Sequence, residues 1–251
     1  MAGAKIPLGR SSRLTKAVFM CGRFTLRFPG RIAQVRFPGV TVRLNGLSAQ
    51  WKPRFNLGPG QQILFLKPSG PAGLTLREGH WGWPSPVPGR KELLINARSE
   101  TAAEKSLFRT AWENERVLIP ADGYYEWKRD TRPPRPFFFA LPDNELFWMA
   151  GLRRVTGPSG PDQIIVLTQP AVEPASSIHH RMPLFVSPAI SGEWFKSVAH
   201  RMPRTAEPGQ IAPGLAALTV REVNPRVNSL RYDDPVCLAP PPVHQLELPL
   251  D

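Results

Sequence analysis

Cysteine is almost missing from this sequence: two residues in 251, Cys21 and Cys237, cannot build a disulfide framework, and their scarcity suits a reducing compartment. Long apolar runs are missing too. None approaches the roughly 18 residues that a membrane-spanning helix requires, so a soluble protein with no membrane partner is expected. Metal-ligand clusters are equally absent. His179 and His180 are adjacent, but neighbouring histidines on one chain rarely face one ion, and no cysteine or carboxylate group accompanies them, so no metal site is expected. Acidic residues are in short supply, 20 against 32 lysines and arginines, for a formal charge of +12. Residues 1–19 hold four of the basic groups and no acid, and the remainder still carries +8. An excess of that size suits a polyanion such as nucleic acid, or simply a well-solvated surface.

What the chain has in abundance is punctuation. Thirty prolines and twenty glycines cut it into short pieces, which disfavours long helices and favours strands joined by turns. Runs rich in aromatic and β-branched residues predict strands at Cys21–Phe28, Gln62–Leu66, Leu74–Glu78, Leu93–Asn96, Val117–Pro120, Gly123–Lys128, Phe137–Leu141, Leu146–Leu152, Ile164–Thr168 and Leu218–Val223. The capping-box spacing of Thr101 and Glu104 predicts a helix to about Glu113, Ser187-Pro188 predicts another to about Ala199, and a third short one is expected near Gly30–Arg36. Without a βαβ rhythm, this pattern implies an α+β fold with a largely antiparallel sheet in a single domain. The domain is expected to span 20–238. Residues 1–19 read as a transit-like segment or, preferably, as sequence upstream of a true start at Met20, and 239–251 as a proline-rich tail. The one internal repeat is His-Arg-Met-Pro, at 180–183 and 200–203.

Met20-Cys21-Gly22-Arg23 carries the most chemistry. Initiation at Met20 followed by methionine removal, or cleavage before Cys21, would make Cys21 the first residue and give it a free α-amine beside its thiol, with ordinary pKa values of about 8 and 8.5. Such a 1,2-aminothiol captures aldehydes. The amine condenses to a Schiff base and the thiol closes a five-membered thiazolidine, an intramolecular step favoured because the second nucleophile is already in place. The alternative is a small buried hydrophobe in a strand.

Three more segments set polar or titratable residues among apolar neighbours: Ile95-Asn96-Ala97-Arg98, Gly123-Tyr124-Tyr125-Glu126-Trp127 and Ile178-His179-His180-Arg181-Met182-Pro183. Taken in order, MCGRF (20–24), PRFNLGP (53–59), WGW (81–83), INARSET (95–101), LIPADGYYEWK (118–128), LTQPA (167–171) and IHHRMP (178–183) resemble the SRAP family, the SOS response-associated peptidases or abasic-site-processing proteins. INAR, GYYEW and HxRMP are the specific runs. A weaker match lies at Val223-Asn224-Pro225, and WGWPSPVP departs from the family by lacking the second tryptophan that usually follows.

The resemblance implies a barrel-like sheet and a protein that binds abasic sites in single-stranded DNA, cross-linking itself to the ring-opened sugar through Cys21. It implies self-processing that exposes this cysteine, no cofactor, a monomer, and a cytoplasmic location, at the nucleoid in a bacterium. Carried over residue by residue, Asn96 would hold the Cys21 amine or thiol, and Glu126 and His179 would move protons. Arg23 and Arg98 would grip phosphates, with Arg181 and Thr168 as lesser contacts, Asn56 in the pocket wall and Trp81 stacking on bases. The residues themselves leave alternatives open. Asn96 could satisfy backbone groups at a strand end, and Trp81 with Trp83 could plug the core. Glu126 would have a raised pKa if alternation turned it to the core, and would be an ordinary carboxylate if turned to solvent. His179 titrates near neutral pH, as proton transfer needs. A thiol hydrolase using Cys21, His179 and Asn96, and a nucleic-acid-binding module without chemistry, are the rival functions.

Overall fold

Proline and glycine set the scale of every element. In the computed structural model, which describes residues 21–70, 72–157, 160–196 and 217–242, the longest helix among the described residues has nine residues. The expected extension at 1–19, the second His-Arg-Met-Pro and residues 243–251 of the tail lie outside the described residues.

Strands are numbered in chain order. One sheet runs Thr219–Glu222 (β15), Arg135–Ala140 (β11), Gly123–Lys128 (β10), Arg23–Leu26 (β1) and Arg54–Leu57 (β3). A larger sheet runs Arg181–Pro183 (β14), Gln163–Pro170 (β13), Phe147–Arg154 (β12), Arg116–Ala121 (β9), Gln62–Pro68 (β4), Gly73–Trp81 (β5) and Thr41–Arg43 (β2), with Asn96–Arg98 (β8) also on β13. Trp83–Pro84 (β6) and Leu93–Leu94 (β7) form a small ribbon. Pairing is mostly antiparallel, with β5 and β8 parallel to β13 and β2 parallel to β5. Because β5 pairs with β13 as well as β4, the strands β13, β12, β9, β4 and β5 close a ring, the barrel-like arrangement expected. The fold is α+β, with helices only at Leu47–Gln50 (α1), Ser99–Ala102 (α2), Ser106–Asn114 (α3), Ser191–Phe195 (α4) and in short 3-10 turns.

A single residue, Asp122, separates β9 of one sheet from β10 of the other. Its fully buried carboxylate accepts from Thr25 Oγ1 at 2.6 Å, Arg27 Nε at 2.9 Å and the Phe28 amide at 3.0 Å, so it pins β1 beside β10. A buried carboxylate is tolerated because each oxygen has donors. Both faces of β10 are covered. Tyr124 joins the main core, whereas Tyr125 joins a second cluster with Phe138, Val223, Val227 and Cys237.

Three helix expectations need correction. The helix foreseen from Thr101 to about Glu113 is two pieces, α2 and α3, and neither has a side-chain cap. The Ser99 hydroxyl bonds the Thr168 carbonyl at 3.0 Å and Glu100 pairs with Arg181, so α2 stays tied to β13 while the chain turns to start α3. Ser187 does cap, accepting from the Ala189 amide at 3.3 Å, but a 3-10 turn follows and α4 ends at Phe195, with 197–199 outside the described residues. The helix near Gly30–Arg36 is a 3-10 turn over Pro29–Gln34.

Candidate active site

Cys21 stands just ahead of β1, whose antiparallel register sets Arg23 opposite Tyr125 and so carries Cys21 alongside Glu126. On β10 the alternation puts Tyr124 and Glu126 on one face. That face is the interior: Glu126 is 2% exposed and Cys21 3%. One carboxylate oxygen, Oε1, accepts from the Cys21 main-chain nitrogen at 2.7 Å and from Cys21 Sγ at 2.9 Å. Burial pushes the Glu126 carboxyl up to about 7, against the bonds from Cys21 that favour the ion. Burial and then the neighbouring Glu126 charge drive the Cys21 thiol well above its ordinary value. The arrangement therefore favours a neutral thiol beside a carboxyl poised to take or give a proton near pH 7, rather than a standing thiolate.

His179, two residues ahead of β14, approaches the same carboxylate. Its Nδ1 lies 3.9 Å from Glu126 Oε1 and 3.1 Å from the Arg181 amide, which donates to it. Burial lowers the imidazole pKa, so the ring is neutral at pH 7. His180 is exposed, its ring centroid 4.4 Å from that of His179. The bridge between these pieces is β13, where Thr168 is opposite Arg98 of β8 on one edge and Pro183 of β14 on the other. Asn96 opens β8, partly buried, and the adjacent Ile95 packs on Gly22, 3.7 Å from where a β-carbon would stand.

The expected DNA contacts divide sharply. Arg98 is exposed, and Arg23 is half-buried with only carbonyl acceptors, so among the described residues neither has a carboxylate partner. Both can receive a phosphate. Arg181 is committed elsewhere: its guanidinium is buried and forked onto Glu100, and Nη2 also donates to the Thr168 carbonyl at 2.6 Å. Thr168 is fully buried, with Oγ1 on the Ala97 carbonyl at 3.3 Å. Asn56 is engaged structurally: its buried amide donates to the carbonyls of Val227, Ser229 and Tyr232, tethering that loop. Trp81 is 1% exposed and donates to the Ile95 carbonyl at 3.0 Å, so it plugs the core and cannot stack on a base; Trp83 is likewise buried.

Sequence reasoning passed over three residues. Arg129 is exposed just beyond β10 and close enough to act electrostatically on Glu126 and His179; the Lys128-Arg129 pair closing a strand was its signal. Tyr124 shares the Glu126 face, with its hydroxyl buried and unpartnered among the described residues. Glu100 is visible only through its partner. A cleft of about 640 Å³, lined by Trp83, Leu107, Thr110, Arg154 and Val155 among others, contains none of Cys21, Glu126 or His179. Among the described residues no group of three or more metal-ligating side chains occurs, and no helix is long and apolar enough to cross a membrane.

Comparison with known proteins places this geometry in context. Residues 20–230 match the family model described as SOS response associated peptidase (SRAP). Abasic site processing protein YoqW of Bacillus subtilis is 34% identical over 185 residues, covering 70% of this chain and 80% of that protein. Abasic site processing protein YedK of Escherichia coli is 33% identical over 147 residues, covering 57% of this chain and 64% of that protein, just under two thirds of its length. A solved protein from Bacteroides thetaiotaomicron shares the fold, with a TM-score of 0.66 at 16% identity over 88% of this chain and 99% of that one.

Proposed function

The chain belongs to the SOS response associated peptidase (SRAP) family, and from that premise we propose that it binds abasic sites in single-stranded DNA and traps the sugar aldehyde through an N-terminal Cys21. Glu126 carries the reading: a single oxygen bonds both the nitrogen and the sulfur of Cys21. In a chain that begins at Cys21 these two atoms are the amine and thiol of an aminothiol. The amine adds to C1′ of the ring-opened sugar, water leaves to give an imine, and the thiol adds to the imine carbon. One aldehyde and one aminothiol thus become one thiazolidine and one water. Glu126 relays the amine protons to the oxygen that departs as water and then passes the thiol proton to the imine nitrogen as sulfur bonds to carbon, a task for which a pKa of about 7 is suited. His179 protonates the sugar ring oxygen as it opens, Asn96 orients Cys21, and Arg23, Arg98 and Arg129 face phosphates.

While residue 20 is attached, the Cys21 nitrogen is an amide and cannot condense with an aldehyde. Cys21 itself is held with φ at +43°, in the left-handed region that costs an ordinary residue roughly 1–2 kcal/mol. Removing residue 20 abolishes that torsion, which favours processing before Cys21; the domain that results is proposed to run to 238, within the 20–238 span read from the sequence, with 1–19 and 239–251 as flanking segments. A hydrolase reading is weaker, since Cys21 Sγ donates to a carboxylate and its pKa is raised, the reverse of an activated thiolate. The test is incubation of protein beginning at Cys21, of its N-acetylated form and of Cys21→Ser with single-stranded DNA bearing one abasic site. Only the first is expected to give an adduct stable to denaturing electrophoresis. An equally stable adduct from the acetylated protein would contradict the proposal, and salt-sensitive binding without adduct would reduce the protein to a binding module.

A further inference from the structure

The guanidinium of Arg181 ties together two short segments, one following the strand that opens with Asn96 and the other following His179. Glu100 begins α2, directly after the β8 strand of Asn96, and Arg181 begins β14, two residues after His179. Both Glu100 oxygens are engaged by the two terminal nitrogens of Arg181, a planar fork that leaves the side chain little freedom. Nη2 is further held by the Thr168 carbonyl at 2.6 Å and lies 3.2 Å from Thr168 Oγ1. Ser99 Oγ, 3.2 Å from Glu100 Oε2 and 3.0 Å from the Thr168 carbonyl, closes the network. The main chain of Arg181 is thereby fixed against the His179 ring, with its N–H 3.1 Å and its carbonyl oxygen 3.2 Å from Nδ1.

We infer that Glu100 is a positioning residue for His179: its fork on Arg181 holds the Arg181 N–H on Nδ1 and so leaves the proton of the neutral imidazole on Nε2. A ring nitrogen cannot accept and donate at once, and while the neutral ring accepts from the Arg181 N–H its other nitrogen must be the donor. His179 therefore presents an N–H through Nε2, as a group that protonates the sugar oxygen must. The other charged or titratable groups around the ring are Glu126 on β10, Arg129 beyond it, His180 and Arg181 itself. Replacing Glu100 by glutamine removes the fork and leaves a buried guanidinium without a counter-charge, freeing the Arg181 peptide to shift.

The inference rests on the aldehyde-trapping reaction proposed above, and its test separates the two. Cross-linking of protein beginning at Cys21 to abasic single-stranded DNA is timed as a function of DNA concentration and pH for the unsubstituted protein, Glu100→Gln and Arg181→Lys. Both variants are expected to lower the limiting rate on the order of tenfold to a hundredfold, with the half-saturating DNA concentration within about twofold and the His179 limb of the pH profile displaced. Nitrogen-15 NMR of the histidine rings without DNA is expected to find neutral His179 protonated on Nε2, and Glu100→Gln to populate the Nδ1–H form. An unchanged rate and profile, a defect confined to half-saturation, or an Nδ1–H ring in the unsubstituted protein would each overturn it. The last measurement needs no variant to fold. Failure of the unsubstituted protein to cross-link would defeat the trapping reaction instead, while the NMR comparison would still decide the role of Glu100.

Discussion

Glu126 is pulled in two directions, and the outcome sets both its chemistry and its cost to the fold. Removal from water raises its pKa, the bonds from Cys21 lower it, and removal from water prevails, from 4.5 to about 7. The folded protein thus binds this proton more tightly than the unfolded chain. Its contribution to stability is fully present below pH 4.5 and is lost as pH rises to about 7. At about 1.4 kcal/mol per pKa unit, the loss is about 3 kcal/mol at most. Glu126→Gln, which keeps an acceptor but does not titrate, is expected to melt higher than the unsubstituted protein at pH 8 and by little at pH 4, while cross-linking falls on the order of a hundredfold or more. Thermal melts at both pH values and timed cross-linking check this; equal melting at pH 8 would show that the buried charge costs nothing. Alternation along Gly123–Lys128 left Glu126 free to face either core or solvent, and its burial was not legible because both faces of β10 are covered; the GYYEW and HxRMP runs are what singled out Glu126 and His179. Arg181, Thr168, Asn56 and Trp81 were misread for one reason: sequence shows a polar or aromatic side chain but not the partner, such as Glu100, that occupies it.

At the scale of elements, the site depends on how closely β10 approaches β1 and β11. A β-carbon on Gly123 would stand 2.0 Å from Phe138 Cζ and 2.9 Å from Thr25 Oγ1. Phe138 is itself buried against Tyr125, with ring centroids 5.1 Å apart, so it has little room to yield. Gly123→Ala is expected to cost about 1–3 kcal/mol of stability and to slow cross-linking by moving Glu126 off Cys21, read by denaturant titration and the same timed assay. Stability within about 0.5 kcal/mol of the unsubstituted protein would mean that β10 is more loosely seated. Nine of the ten predicted strands are present, because each is an apolar run between turn formers, while the tenth, Leu93–Asn96, is divided at Ile95 between β7 and β8. The three-residue strands Asn96–Arg98 and Arg181–Pro183 were not legible as strands: they are too short for a period and exist because both edges of β13 are open to them. The Thr101 capping box failed because tethers at Ser99 and Glu100 outweigh a local cap.

For the molecule as a whole, the excess of basic residues leaves Arg23, Arg98 and Arg129 without carboxylate partners among the described residues, where many other arginines are paired. Composition was compatible with a surface for a polyanion or with a well-solvated one; which arginines stand free of carboxylates depended on the fold. In the proposed reaction the reactive end exists only in a chain that begins at Cys21. The most direct measurement is carbon-13 NMR of the adduct between protein beginning at Cys21 and single-stranded DNA whose abasic sugar is labelled at C1′. The account predicts a tetrahedral carbon bonded to both nitrogen and sulfur, formed with loss of one water, and no such product from a chain that retains residues 1–20. An imine or sulfur-only carbon as the final product, or the same adduct from the extended chain, would contradict it.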